Sequence, residues 1–155
     1  MKVTITLITY NRPNYLDKAI NGILNQTYKH FEFLILDNGS TKETKEVIFK
    51  FNDNRIKYIR NEHNQREFYN KAFELASGEY LLITHDDDIM LPDLLSKEVE
   101  AMDQFSDSII ISCNAKAINE DGHIINSNIL NLKKTKIFSK HQYISHFLKG
   151  RKGII

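Results

Sequence analysis

The chain has 155 residues, 41% of them hydrophobic and 26% charged, a composition suited to one globular domain with its own core. Its 21 basic and 20 acidic side chains leave a formal net charge of +1, which gives no footing for nucleic acid or a charged membrane surface as partner. A single cysteine, Cys113, excludes an intrachain disulfide and a cysteine-rich metal site, and no apolar run approaches the roughly 20 residues of a membrane span.

Val3 to Ile8 reads as a strand of alternating and β-branched residues, broken by Thr9-Tyr10-Asn11-Arg12-Pro13. Leu16, Ala19, Ile20, Ile23 and Leu24 then recur at helical spacing. Phe31 to Leu36 is nearly all apolar, as expected of a central strand covered on both faces, and it ends in Asp37-Asn38-Gly39-Ser40. Ser40 with Glu43 has the spacing of a capping box for a helix whose inner face is Val47, Ile48 and Phe51. A short strand, Ile56 to Ile59, follows, and the polar segment Asn61 to Glu67 leads into a helix expected to bury Tyr69, Ala72, Phe73 and Ala76, with Gly78 as its C-terminal cap.

The next strand, Tyr80 to Thr84, runs into His85 and three successive acids, Asp86, Asp87 and Asp88, before Pro92 opens a helix expected to bury Leu95, Val99 and Met102. Ile109 to Cys113 reads as a fifth strand with Cys113 as a small buried residue. Asn119 to Gly122 is a turn signal before Ile124-Ile125, so a hairpin or meander is expected near the C-terminus. Ile144, Phe147 and Leu148 suggest a short final helix.

Strand–helix alternation predicts an α/β fold: an open, mostly parallel sheet with helices on both faces. Ligands of such sheets bind outside the carboxyl ends of the strands. That rule gathers Thr9, Tyr10, Asn11 and Arg12, then Asp37 to Ser40, then His85 to Asp88 into one crevice, with Asn61 to Arg66 along the same side. Three adjacent acids repel one another unless a cation or well-placed donors compensate, and Mg²⁺ or Mn²⁺ suits such oxygen ligands. The bland reading is a solvated acidic turn that caps a helix. No Gly-x-Gly-x-x-Gly, P-loop or Gly-x-Ser-x-Gly motif is present, so phosphate charge falls to metal at the acid cluster with Arg12 or Arg66 assisting.

Several motifs stand in a recognisable order: Thr9-Tyr10-Asn11-Arg12, Gln26-Thr27-Tyr28, Asp37-Asn38-Gly39-Ser40, Asn70, Ala76-Ser77-Gly78-Glu79-Tyr80, and the acid cluster followed by Pro92-Asp93. From Val3 to about Gly122 the chain resembles the nucleotide-sugar-binding half of an inverting, GT-A-type family 2 glycosyltransferase. The resemblance implies a Rossmann-like, nucleotide-diphospho-sugar transferase fold and a role in polysaccharide biosynthesis. It also implies a nucleoside diphosphate sugar as donor, a UDP-sugar above others, and a saccharide or other hydroxyl acceptor. Thr9, Tyr10, Arg12, Asp37, Arg66 and Asp86 are the nucleotide-binding residues it points to, and Asp87 and Asp88 the ligands of Mn²⁺ or Mg²⁺ in a DXD-like motif. Tyr10 is expected near the base and Asp86 near the ribose. Asp37 is expected to accept a hydrogen bond from the base, which fits the imide N–H of uracil.

Three departures qualify the match. His85 stands where the family's acid motif usually begins, which shifts the ribose contact to Asp86 and leaves His85 as a hydrogen-bonding neighbour or a metal ligand. The segment from Asn61 to Asn70 lacks the usual glycine and Ala-Arg, with Arg66 as the substitute. The general base that deprotonates the acceptor is expected from a later segment, so residues 1–155 read as a single donor-binding domain truncated before it. Two other readings stay open: a binding module that keeps the fold without the chemistry, and an Asp-x-Asp phosphotransferase, for which Met90 and the position on the fourth strand are unfavourable. The expected location is the cytoplasm, including the inner face of a membrane.

Overall fold

A computed structural model describes residues 3–108 and 110–129. They fall into two units, divided after Ile109.

The first unit is built on β1 (Val3–Thr9), β2 (Phe31–Asp37), β3 (Ile56–Arg60) and β4 (Tyr80–His85), all parallel, in the order β3-β2-β1-β4. Between them run α1 (Pro13–Leu24), α2 (Lys42–Ile48) and a 3-10 turn, Arg66–Asn70, that leads into α3 (Lys71–Leu75), while α4 (Leu94–Gln104) follows β4. The two central strands are buried along their whole length, as the apolar run in β2 predicts.

Side-chain alternation divides the sheet into two faces. Val3, Ile5, Leu7, Phe31, Phe33 and Ile35 point to one, where Leu16, Ala19, Ile20 and Ile23 of α1, Ile48 of α2 and Leu95 of α4 cover them. On the other, Ile8 and Leu36 pack with Phe68 and Ala72 from the 3-10 turn and α3. The expected two-faced α/β architecture is therefore present.

Local details differ from the sequence reading. Phe68 and Ala72 are the buried pair, whereas Tyr69 and Phe73 are 41% and 69% exposed. A 3-10 turn advances 120° per residue rather than 100°, so the buried stripe begins one residue earlier than a continuous α-helix places it. The capping box at Ser40 and Glu43 does not form: the N-cap of α2 is Thr41, and the Ser40 hydroxyl accepts the Asn11 N–H instead (3.0 Å). Gly78 donates its N–H to the Thr4 hydroxyl (2.9 Å) at the entry to β4, and α3 ends at Ala76 in extended backbone. In α4, Leu95 is buried, Val99 packs at the edge of the core and Met102 is half-buried.

In the second unit, β5 (Ala117–Ile118) and β6 (Ile124–Asn126) form the expected antiparallel hairpin. Its turn is closed by Asn119, whose side-chain oxygen accepts the His123 N–H (2.8 Å), and by Gly122 at φ +85°. Residues 110–113 form no strand and Cys113 is exposed, which corrects the fifth strand and the buried cysteine. β-Branched residues make a strand only where a neighbouring backbone ladders with them, and the ladder of this unit among the described residues joins β5 and β6. The final helix around Ile144, Phe147 and Leu148 lies outside the described residues.

Candidate functional site

Register fixes the level of the site. Thr9 is the ladder partner of Asp37, and Ile8 is that of His85, so the loops leaving β1, β2 and β4 open at the same end of the sheet. The sequence turns sharply at each exit. Asn11 takes φ +53°, a left-handed conformation that asparagine tolerates, and its side-chain oxygen accepts the Thr41 N–H (2.8 Å). Gly39 sits at φ +87°, and a Cβ there would lie 2.9 Å from the backbone of both His63 and Asn64. Only glycine lets the two loops approach so closely.

The acid cluster is sorted by its turn. The Asp88 N–H donates to the His85 carbonyl (3.2 Å), which rolls Asp86 inward and leaves Asp87 and Asp88 outside. Asp86 is only 4% exposed. It accepts the Thr9 hydroxyl (2.7 Å) and the Tyr10 N–H (3.3 Å), and the Arg12 guanidinium lies 3.5 Å away. That same guanidinium donates to Asp87, where both side chains are 49% exposed. The field of Asp87, with that of Asp86, holds the Arg12 pKa above its usual value, so Arg12 is a fixed positive charge between two carboxylates.

Asp37 is fully buried. One oxygen accepts the Ser40 N–H (2.8 Å), the other the Tyr58 hydroxyl (2.6 Å) with the Arg60 Nε 3.6 Å away. Burial and then the bond to Asp37 raise the Tyr58 pKa, which keeps that hydroxyl a donor. Asp37 is thus held between its own turn and β3. Asn38, which the sequence reading left without a role, is buried beside it: its amide donates to Asn64 Oδ1 (2.8 Å) and the Gln65 carbonyl (3.0 Å), and its oxygen accepts the Gln65 N–H (3.1 Å). The 61–65 segment is thereby bound to the β2 exit. Tyr10, His85 and Arg66 are exposed around this set.

Thr9, Tyr10 and Arg12 are therefore gathered on Asp86, and Arg12 also reaches Asp87. Asp88 shares the turn of Asp86 and Asp87, Asp37 is connected through Ser40 and Asn11, and Arg66 opens the 3-10 turn Arg66–Asn70 and is bonded to none of these acids among the described residues. Tyr58 and Arg60 were missed as contributors. The pairing of Asp37 with Arg60 across the β2–β3 ladder was the one available signal, an acid and a base each closing its strand.

No three of the His, Cys, Asp and Glu side chains among the described residues form a cage for a metal ion. The donor set still suits one kind of site. Asp87 and Asp88 offer exposed hard oxygens on one turn, and Mg²⁺-type ions are commonly held by one or two carboxylates, with substrate phosphates and water completing the shell.

An open parallel sheet with this crest of polar loops is the GT-A form of α/β domain. Comparison with known proteins is consistent. The sequence pattern of glycosyl transferase family 2 matches residues 4–153. An uncharacterized glycosyltransferase of Methanocaldococcus jannaschii is 35% identical over 150 residues, 93% of this chain and 52% of that protein. A UDP-Glc:α-D-GlcNAc-diphosphoundecaprenol β-1,3-glucosyltransferase of Escherichia coli is 30% identical over 102 residues, 64% of this chain and 40% of that protein. The structure of S. aureus TarS 1-349 in complex with UDP-GlcNAc superposes with a TM-score of 0.63 at 26% identity, covering 67% of this chain and 32% of that one. The chain belongs to glycosyl transferase family 2. It spans about half the length of its archaeal relative. No helix among the described residues is long and apolar enough to cross a membrane.

Proposed function

We propose that this chain is the donor-binding part of a glycosyltransferase, taking a UDP-sugar together with a divalent cation for transfer, with inversion, to an acceptor hydroxyl. The observation that carries the reading is the sorting of the acids: Asp86 is turned inward and bonded by Thr9 and Tyr10, while Asp87 and Asp88 stay at the crevice. Uridine as the nucleoside rests on the UDP-GlcNAc held by TarS and on the UDP-Glc named for the E. coli relative.

Asp87 and Asp88 are the residues that would hold Mn²⁺ or Mg²⁺, which when bound supplies Lewis-acid stabilisation of the departing diphosphate. The rest is done by the chain itself. Thr9 and the Tyr10 amide fix the Asp86 carboxylate by hydrogen bonds, and on this reading Asp86 is the ribose contact. Arg12 places a permanent positive charge beside the acids, where it offsets phosphate charge. The part of Asp37 is indirect: it holds the Asn38–Ser40 turn that supports the loop of Arg12. Arg66, exposed at the start of the 3-10 turn, is on this reading a second cation for the diphosphate. The acceptor, the general base and the sugar are not assigned to residues of this chain.

Calorimetric titration of the full chain with UDP, GDP and dTDP, with and without Mn²⁺, tests the reading. Binding of UDP that tightens with Mn²⁺ is expected. Folded protein that binds none of the three contradicts it, and acid-stable phosphoenzyme formation would favour the phosphotransferase instead.

A further inference from the structure

Asp87 and Asp88 are exposed, and Arg12 is the one side chain the structure shows bonded to Asp87 among the described residues. Their placement must therefore come from the backbone on either side. Upstream, β4 is hydrogen-bonded into the sheet as far as His85. Downstream the chain runs through Ile89 to Pro92 before α4, with no strand or helix to hold it.

We infer that Gln26 is the positioning residue that fixes this downstream end. Gln26 lies just past α1 and is fully buried. Its amide nitrogen donates to the carbonyls of Leu91 (2.7 Å) and Gly22 (3.0 Å), and its oxygen accepts the Leu95 N–H (2.9 Å). One side chain thus ties α1 to both ends of the Leu91–Leu95 segment and satisfies an orphan N–H in the first turn of α4. Neighbouring contacts act in the same direction. The Thr27 N–H donates to the Pro92 carbonyl (2.8 Å), and the Thr27 hydroxyl to that of Ser96 (3.2 Å). Gly22 faces the Met90 backbone so closely that a Cβ would lie 3.1 Å from its oxygen and 3.2 Å from its nitrogen.

The chemistry at position 26 is specific. Glutamate would set a carboxylate against the Leu91 and Gly22 carbonyls, and asparagine is one methylene too short to span from Gly22 to Leu91. A buried amide with both its oxygen and its nitrogen in use specifies one geometry, and loss of it releases the acidic turn at one end. Partners that orient metal-binding carboxylates without touching the ion commonly carry about 10- to 100-fold of its affinity.

This rests on the proposed binding of UDP with a cation, and the test separates the two. UDP affinity is measured with and without Mn²⁺ for the wild-type chain, for Gln26→Met, which keeps the volume but none of the bonds, and for Gly22→Ala. The alanine favours helix α1 yet presses on Met90, so it serves if the methionine variant fails to fold. The readout is the Mn²⁺ enhancement, the ratio of the two affinities, on samples shown folded by circular dichroism. Gln26→Met is expected to lower that ratio about tenfold with UDP alone bound as in wild type, and Gly22→Ala to lower it in the same direction. Hydrogen exchange is expected to show the Leu95 amide losing protection in Gln26→Met while β1 amides keep theirs. A folded Gln26→Met with the wild-type ratio overturns the inference and leaves the proposed function standing, as does a wild-type ratio in Gly22→Ala where the methionine variant is unfolded. A wild-type chain with no Mn²⁺ enhancement overturns the functional reading and the inference with it.

Discussion

At the start of β2, Glu32 is buried against the second face of the sheet, with donors from several elements turned toward it. The Thr4 hydroxyl (2.7 Å), the Ser77 N–H (2.7 Å) and hydroxyl (2.6 Å), and Lys57 Nζ (2.7 Å) all donate to its carboxylate. At the opposite end, beyond β4, Asp87 and Asp88 stand exposed on a tight turn, with Arg12 reaching Asp87. Asp86 lies between these extremes, buried, with bonds from Thr9 and Tyr10. The contrast separates acids that complete the fold from acids left available to something outside it. A buried carboxylate must be satisfied within the chain, whereas an exposed pair with little internal compensation is free to meet a cation.

Breaking the compensated end should cost the most stability. Glu32→Gln removes the ionic partner of Lys57 and turns an amide N–H toward donors, and is expected to lower unfolding free energy by on the order of 2 kcal/mol in urea titration. UDP affinity should not change. The pH dependence follows the same group. Burial pushes the Glu32 pKa up, but the bonds from Lys57, Ser77 and Thr4 together bring it down from 4.5 to about 2. Its contribution to stability is therefore complete above about pH 4.5 and is lost as the pH falls toward 2. Wild-type unfolding free energy should decline across that window, and Glu32→Gln should flatten the decline.

The intermediate acid should show both effects at smaller size. Asp86→Asn keeps one acceptor for the Thr9 hydroxyl but loses the charge beside Arg12, so about 1 kcal/mol of stability should go, together with UDP affinity. The smallest change in stability belongs to the exposed end. Arg12→Gln breaks a half-exposed ion pair, and its unfolding free energy should stay within about 0.5 kcal/mol of wild type. Free of that guanidinium, the acids should bind Mn²⁺ alone several-fold more tightly, as read by manganese electron paramagnetic resonance.

The same contrast marks how far the sequence could be read. The sheet, its parallel sense and the acids at its far end follow from apolar runs and from the rule that ligands meet α/β sheets at the carboxyl ends of the strands. What escaped was nearly all long-range. Ser40 has the spacing of a local cap, but its hydroxyl is taken by Asn11 from another loop. Asp37 carries the signature of a ligand residue, but Tyr58 and Ser40 occupy it. Gln26 stands in a motif at the end of a helix, but its partners, Leu91 and Leu95, lie far along the chain. Ile110 to Cys113 has the composition of a strand but forms none. Local pattern specifies elements, whereas the partners of a polar side chain depend on which loops the fold brings together.

The division of labour between the two ends is tested most directly by titrating UDP, in the presence of Mn²⁺, into Glu32→Gln and Asp87→Asn beside the wild-type chain. Wild-type affinity in Glu32→Gln with a loss of about a hundredfold in Asp87→Asn is the expected result. Undiminished affinity in Asp87→Asn, or an equal loss in both variants, would contradict it.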